Sequence, residues 1–347
     1  MTKGTTDSIR FYYAMLRKGL EVLSSMDGNS STESSSSRII KDCAKELGIE
    51  VEDLVDGAFE LKSGKTTKLI ATLGTIEKGS ANWLCSNKYA TFEILRKYGF
   101  QQVPYYKRYS LETIEEARQD FITRRKPVVI KPSRGTYGGT GVTANIKSVK
   151  QLNKAIFNSL VYHSNYLMED FVEGDNFRIS LFNDRVLNAV QRLPANVKGD
   201  GVNNIKHLIE MENERRAKDR SIFRLNPILI DNEVKQTLRN ENMSLKYIPE
   251  KDEMVFVRTI CNHHAGGEIR DVTNMVHQDI MRDCRSIMKI MGVTLGGIDI
   301  ITKDISKSLA ETGGTINEVN TDPALDIHGK DATIDLLNLL FEKNLTS

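Results

Sequence analysis

The residues of this chain that could do chemistry fall into three groups. The first is the segment SRGTYGGTG at residues 133–141, with four glycines in seven residues between two strand-like runs. Glycine lets the backbone turn sharply and aim successive N–H groups at one anion, so such a loop can cradle phosphate. No helix follows directly and no GK[ST] is present, so it is neither a dinucleotide fingerprint nor a Walker loop. A glycine-rich hairpin is the plain alternative. Lys131, just before the loop in the apolar run VVIKP, favours the phosphate reading, because a charged side chain in an apolar strand needs a partner. Lys88 supplies a second candidate cation.

The second group is acidic and amide oxygen: Asp299 in GGIDII, and Glu318 and Asn320 in TINEVNTDP. Each carboxylate interrupts an apolar strand, and Glu318 and Asn320, two apart, share a face of theirs. If the two strands are neighbours, three hard oxygen donors converge, a set that suits Mg²⁺ bridging nucleotide phosphates to protein. The plain alternative is acidic residues facing solvent at strand ends. The third group is Arg178 in FRISLF, Arg192 in AVQRLPANV and Arg258 in VFVRTICN. An arginine in a strand calls for a counter-charge, and three in one lobe suggest an anionic substrate site, whereas each singly reads as a structural ion pair. Cys261, His263 and His264 have metal-like spacing but lack a second paired half. No G-x-S-x-G elbow is present for a hydrolase.

The elements that must position these groups follow from periodicity. Apolar residues at helical spacing predict a helix over 7–25, then eight serines within residues 24–37 read as a loop, with Ser37 placed to cap a helix ending at Gly48. Strands are expected at 58–62 and 68–73. Asn87 is placed to cap a helix ended by Gly99. Strand VVIKP, the glycine loop, strand GVTANI, a helix over 149–161 and strand YLMEDF come next. The polar stretch to about residue 251 reads as an insertion with helices near 205–216 and 232–240. A helix over 275–291, strands TLGGIDIIT and GTINEVN, and an amphipathic helix from 332 complete the pattern, which is that of an α/β or α+β enzyme.

Composition narrows the class. In 347 residues, 39% are hydrophobic and 27% charged, enough for a sizeable core. Forty-eight basic against 46 acidic residues leave a net charge of +2, which gives no argument for nucleic acid. No apolar run approaches the roughly 18 residues of a membrane span, and the polar start lacks a signal-peptide core. The expected location is the cytoplasm, where four scattered cysteines fit reduced thiols.

In this order, FELKSG, the NK of Lys88, VVIKPSRGTYGGTGV, MEDFVEGDNFR, RLPANVKGDGVNNIKHLIE, ICNHHAGGEIRDVT, GGIDII and EVNTDPALDIH resemble the ATP-grasp superfamily. Within it they are most similar to the ATP-grasp module of cyanophycin synthetase and bifunctional glutathione synthetases. The resemblance runs from about residue 59 to 328. It implies an α+β ATP-grasp fold, two α/β lobes gripping the nucleotide after a small helical and β N-terminal region. The expected divisions are 1–86, 87–166 for the small lobe and 167–347 for the large lobe.

Carried over by position, Lys88 and Lys131 would contact phosphates or the adenine edge. The loop bearing Arg134, Gly135, Gly138 and Gly139 would close over the phosphates. Glu169 and the backbone near Phe171 would read adenine, with Asn176 and Arg178 also at the nucleotide. Asn176 stands where the family usually has an acidic ribose ligand. Asp299, Glu318 and Asn320 match the magnesium ligands. Arg192, Arg258 and Asn262, with the Gly266–Gly267 turn, match positions around the γ-phosphate and the activated carboxylate. Ala324 replaces the glycine of the family's EVN-x-x-PG motif.

The activity so implied is an ADP-forming acid–amino-acid ligase, using ATP with two Mg²⁺ ions that Mn²⁺ can replace. It would activate an amino-acid or peptide carboxylate as an acyl phosphate and join it to an amine, in a homodimer with no nucleic-acid or membrane partner. Two other readings stay open. One is a ligase whose acceptor is a thiol, a hydroxyl or a modified peptide, and the other is a nucleotide-binding scaffold without catalysis. The glycine loop and the 194–251 insertion are the candidate lids. Residues 1–57 are a candidate donor platform. The Mur-ligase-like half of cyanophycin synthetase and the glutamate–cysteine ligase half of the bifunctional enzymes have no counterpart, so a single ligation is expected.

Overall fold

The structure is a computed structural model that describes residues 35–54, 58–70, 78–136, 139–219, 225–259, 261, 266–321 and 323–341. The helix expected over 7–25 lies outside them. Among the described residues no helix is long and apolar enough to cross a membrane.

The first described helix, α1 (Ser35–Glu46), starts before Ser37, which is a buried residue inside it and not its cap. Its buried face (Ile39, Ile40, Cys43, Ala44) requires that earlier start, since an amphipathic helix is ordered by the stripe it buries. A three-stranded antiparallel sheet follows, β1 (Glu50–Asp53), β2 (Phe59–Ser63) and β3 (Thr66–Ile70). With α1 it packs on the last helix of the chain, Gly329–Leu340, around Phe59, Leu61, Leu336 and Leu337. The N-terminal region is therefore built onto the C-terminal one.

Two helices lead into the nucleotide-sized cleft, α2 (Gly79–Ser86) and α3 (Lys88–Lys97). Asn87 caps α3 as expected, its side-chain oxygen accepting the Ala90 N–H at 3.2 Å. The small sheet is antiparallel in the order β4-β7-β5-β6: β4 (Tyr106–Ser110), β5 (Val128–Pro132), β6 (Thr143–Ile146) and β7 (Asn165–Asp170). Helices α4 (Ile114–Arg124) and α5 (Val149–Leu160) cover one face of it through Ala117, Phe121, Leu152 and Ile156.

The large sheet holds β8 (Asp175–Phe182), β9 (Arg185–Leu193), β12 (Glu268–Asp271), β13 (Leu295–Thr302) and β14 (Thr315–Asn320) in the antiparallel order β12-β9-β8-β13-β14. Its apolar face (Phe177, Ile179, Leu181, Ala189, Ile298, Ile300, Val319) is sealed by α8 (Gln278–Met291) through Ile280, Cys284, Ile287, Met288 and Met291. Complete burial of such side chains contributes about 1.5–3 kcal/mol each. Phe92, Leu95, Tyr106 and Leu167 belong to the same core, so both lobes share it. The expected start of α8 at Met275 is corrected: a 3₁₀ turn spans Thr273–Met275, and His277 caps the helix through its ring nitrogen.

Between β9 and β12 the insertion is a unit with its own core. Strands β10 (Asn196–Lys198) and β11 (Met254–Phe256) form a two-stranded ribbon, and helices α6 (Ile205–Lys218) and α7 (Asn232–Asn240) bury Ile205, Ile209, Val234 and Leu238 against it.

Candidate active site

The large sheet's second face is polar, and its register builds the site. Reading across the strands, Val190, Arg178, Asp299 and Glu318 lie in one row; Asn188, Ser180, Gly297 and Asn320 lie in the next. Side chains of directly paired residues project from the same face. The two acid-bearing strands are neighbours, as the sequence reading required.

A bulge in β14 makes this possible. Asp299 pairs with Glu318 while Ile300 pairs with Ile316, leaving Asn317 without a partner. Strict alternation would put Glu318 on the face of Ile316, which is core. The extra residue re-aims the strand, so Ile316 and Val319 stay buried while Glu318 joins Asp299.

Asp299 is the hub. Arg178 donates to both its oxygens at 2.6 and 3.0 Å, and Arg192 to one at 2.8 Å. Burial alone would raise this carboxyl, but the two guanidiniums outweigh it and hold Asp299 at about 2, so it is ionised at neutral pH. Gly297 permits the arrangement: a Cβ there would lie 3.1 Å from Cδ of Arg178 and 3.3 Å from Cα of Pro323. Arg192 Nε is buried without a partner among the described residues, an open donor beside the hub.

From the small lobe, Lys88 reaches Glu318 at 3.0 Å. As first residue of α3 it puts positive charge on positive charge at the helix start, which is favourable only with an anion near. Lys131 is buried over the Phe92 ring, 4.9 Å from its centroid, and pairs with buried Glu169 at 2.8 Å. Burial pushes the Glu169 carboxyl up, while Lys131 and Lys88 pull it back. Arg134 stands 5.3 Å from the Trp83 ring and is bridged to Asn87, and the Lys88 N–H donates to the Ser133 carbonyl at 3.0 Å. The glycine loop and the cationic helix start are thus tied together.

In that loop Gly135 and Gly139 have φ of 76° and 80°, and a Cβ on Gly135 would meet nothing within 4 Å, which leaves its backbone open to a ligand. Gly141 has a plainer reason: a Cβ there would fall 2.7 Å from the Tyr162 ring and 2.8 Å from Pro132. Gly138 lies outside the described residues.

The remaining expected residues are placed as follows. The Phe171 N–H donates to the Pro127 carbonyl at 3.0 Å, so the base-reading groups it retains are its own carbonyl and ring. Asn176 donates to Cys261 Sγ at 3.5 Å; burial pushes that thiol up to about 11, so it is protonated at neutral pH. Asn320 directs its amide N–H toward the Gly297 carbonyl at 3.5 Å. Arg258 is not among the residues bonded to Asp299. It is buried and donates to Asp231 at 2.7 Å, to Glu233 and to the Leu229 carbonyl at 3.0 Å, with Nε unpartnered among the described residues. Asn262 lies outside the described residues.

Gly266 packs against Ile228, where a Cβ would be 2.9 Å from Cα. Its carbonyl accepts from buried Arg216 at 2.9 Å. Sequence reasoning passed over Arg216, Ser180, Asn188 and His328; a histidine closing the motif after Asn320 was the available signal for the last.

The oxygen donors suit a hard divalent cation: two carboxylates in direct cross-strand register, one ionised down to about pH 2, with an amide two residues along. Their present partners are cations, so the site is electrically self-balanced.

Comparison with known proteins agrees with this architecture. A family model for the ATP-grasp domain matches residues 85–196. The chain is 31% identical to a cyanophycin synthetase of Synechocystis sp. over 221 residues, 62% of this chain and 25% of that protein. It is 27% identical to the glutathione biosynthesis bifunctional protein GshAB of Clostridium perfringens over 328 residues, 90% of this chain and 42% of that protein. The chain thus spans less than half the length of these relatives. The crystal structure of a bifunctional glutathione synthetase from Pasteurella multocida superposes with a TM-score of 0.66 at 23% identity, covering 90% of this chain and 44% of that one. The chain belongs to the ATP-grasp superfamily and has its α+β fold.

Proposed function

We propose that this chain is an ADP-forming carboxylate–amine ligase that activates an amino-acid or peptide carboxylate with ATP and joins it to an amine. The observation that carries the reading is the cross-strand pair Asp299 and Glu318, joined to Arg178 and Arg192 within the large lobe and to Lys88 from the small one. Such a cluster places metal ligands and cations where the lobes meet.

In this reading Lys88, Lys131, Arg134 and the backbone around Gly135 and Gly139 hold the phosphates, while Glu169 and the Phe171 carbonyl face the base. Asp299, Glu318 and Asn320 would hold Mg²⁺, which neutralises charge on the transferred phosphoryl group and its leaving oxygen. Arg192 keeps one N–H for an incoming oxygen anion while its other end stays on Asp299. A carboxylate held there attacks the γ-phosphoryl group; ADP leaves with the broken bond and an acyl phosphate remains. The amine then attacks the acyl carbon, inorganic phosphate departs, and the amine loses a proton. The arginines act chiefly by position and charge, strongest where water is excluded.

The test is formation of ADP, phosphate and a product of mass equal to two substrates less water, from pooled amino acids and short peptides with Mg-ATP, using Glu318→Ala as control. Product with the wild type alone supports the reading. ATP binding without phosphate release across every pool sinks it.

A further inference from the structure

His328 is buried beneath the Asp299 hub, and the activity proposed above gives it no task. Its Nε2 lies 2.7 Å from Ser180 Oγ, its Nδ1 contacts Asn188 Oδ1, and its own carbonyl accepts from Asn188 Nδ2 at 2.6 Å. Because the Asn188 amide nitrogen is committed to that carbonyl, its oxygen faces the ring, so Nδ1 carries the proton and Nε2 accepts from the Ser180 hydroxyl. Burial first, then the Arg178 charge, pushes the imidazole down to about 3, and it is neutral under ordinary conditions.

Ser180 and Asn188 are cross-strand partners in the row that contains Gly297 and Asn320, next to the row of Arg178 and Asp299. Residues 323–328 therefore lie over that row, with Pro323 above Gly297 and His328 above Ser180 and Asn188. Pro323 and the Arg178 stem close over the same point, since a Cβ on Gly297 would meet both. Within this turn Ala324 has φ 57° and ψ 71°, a left-handed conformation that an alanine adopts only when its surroundings impose it. Local support comes from two turn hydrogen bonds, Ile327 N–H to the Ala324 carbonyl and His328 N–H to the Leu325 carbonyl, both 3.0 Å.

We propose that His328 is a positioning residue: it clamps the strained turn at Pro323 and Ala324 onto the sheet, and the turn in turn fixes Arg178 against Asp299. The role in turnover rests on the ligase reading; the clamp itself does not. Released from His328, Ala324 relaxes toward negative φ and the wall beside Arg178 moves. A displacement of about 1 Å at such a wall lowers turnover on the order of a hundredfold.

The experiment is a double-mutant cycle of His328→Ala and Ala324→Gly in the full chain, read first by urea denaturation and then by ligation kinetics. A clamp predicts coupling: Ala324→Gly raises the denaturation midpoint in the wild-type background, where strain is imposed, and much less in His328→Ala. It also predicts that His328→Ala lowers kcat for ligation with little change in KM for ATP, and that Ala324→Gly restores part of the loss, because glycine returns to φ > 0 freely. His328→Asn, which keeps the donor toward Asn188, is expected to retain more activity than His328→Ala. Additive denaturation midpoints overturn the clamp whether or not ligation is found. A rise in KM for ATP equal to the fall in kcat, with no rescue by Ala324→Gly, reduces His328 to a packing residue. Absence of product from the wild type counts against the ligase reading alone.

Discussion

Two arginine centres lie in the same half of this chain and are built in opposite ways. Arg178 and Arg192 stand on adjacent strands of a five-stranded sheet and share one carboxylate that is 5% exposed. Arg258 follows a two-stranded ribbon and is held by Asp231 and Glu233 at the start of α7, whose side chains are 49% and 36% exposed. The first centre is fixed by strand register and cannot rearrange without moving the sheet. The second is held by acids that water can take over, on a unit with its own core. A rigid anchor and a separable one are what a site needs if one wall holds the phosphates and the other opens for substrate.

The sharpest way to break this contrast is Asp299→Asn. It leaves two buried guanidiniums short of a counter-charge, which is expected to destabilise the protein by about 3–5 kcal/mol, measured by urea denaturation, and to abolish phosphate release. The pH dependence follows from the same residue. Its folded pKa lies below the usual unfolded value of about 3.9, so its contribution to stability is complete above that value and is lost as pH falls through about 2. Acid titration of Asp299→Asn should lack that limb. An unchanged acid profile would mean the Arg178 and Arg192 contacts do not persist in solution.

Arg258→Gln should have a smaller effect, because the released acids reach water: a loss of about 1–3 kcal/mol confined to the insertion, visible as faster amide exchange in α6 and α7. If turnover instead falls as far as in Asp299→Asn with exchange unmoved, the two centres act as one on the substrate. Lys88→Met tests the link between lobes. Since Glu318 is partly solvated, stability should change by about 1 kcal/mol or less, while ATP binding by calorimetry weakens roughly tenfold. The smallest effect is expected from Gly135→Ala. There is room for the methyl group, so only the positive φ opposes it, about 1–2 kcal/mol against the loop's conformation, read as a higher KM for ATP at unchanged kcat.

Much of this was legible in the sequence, for a physical reason. A charge in an apolar strand is conspicuous, and Lys131, Asp299, Glu318 and Arg178 all announce themselves that way. Asn87 before a helical run is as plain a signal, and its cap is present. What was not legible depends on distance along the chain or on a count of one. Lys88 and Glu318 are 230 positions apart, and nothing in either neighbourhood names the other. Arg258 looks like Arg178 in sequence, and only folding of the insertion gives it Asp231 and Glu233. The start of α1 was set too late because Ser37 reads as a cap when its burial against the last helix is unknown. His328 drew no role, since its partners Ser180 and Asn188 are ordinary polar residues in alternating strands.

The bulge at Asn317 makes the chemistry sensitive to chain length rather than to residue identity. Deleting that single asparagine would exchange no functional group, yet it would put the segment from Glu318 to Asn320 out of phase with Ile316. Val319 would then face the cleft, and two polar side chains would turn into the core. Homologues that align without a gap here keep the phase of the strand; one that lacks the residue needs a compensating shift nearby, whatever its other motifs say.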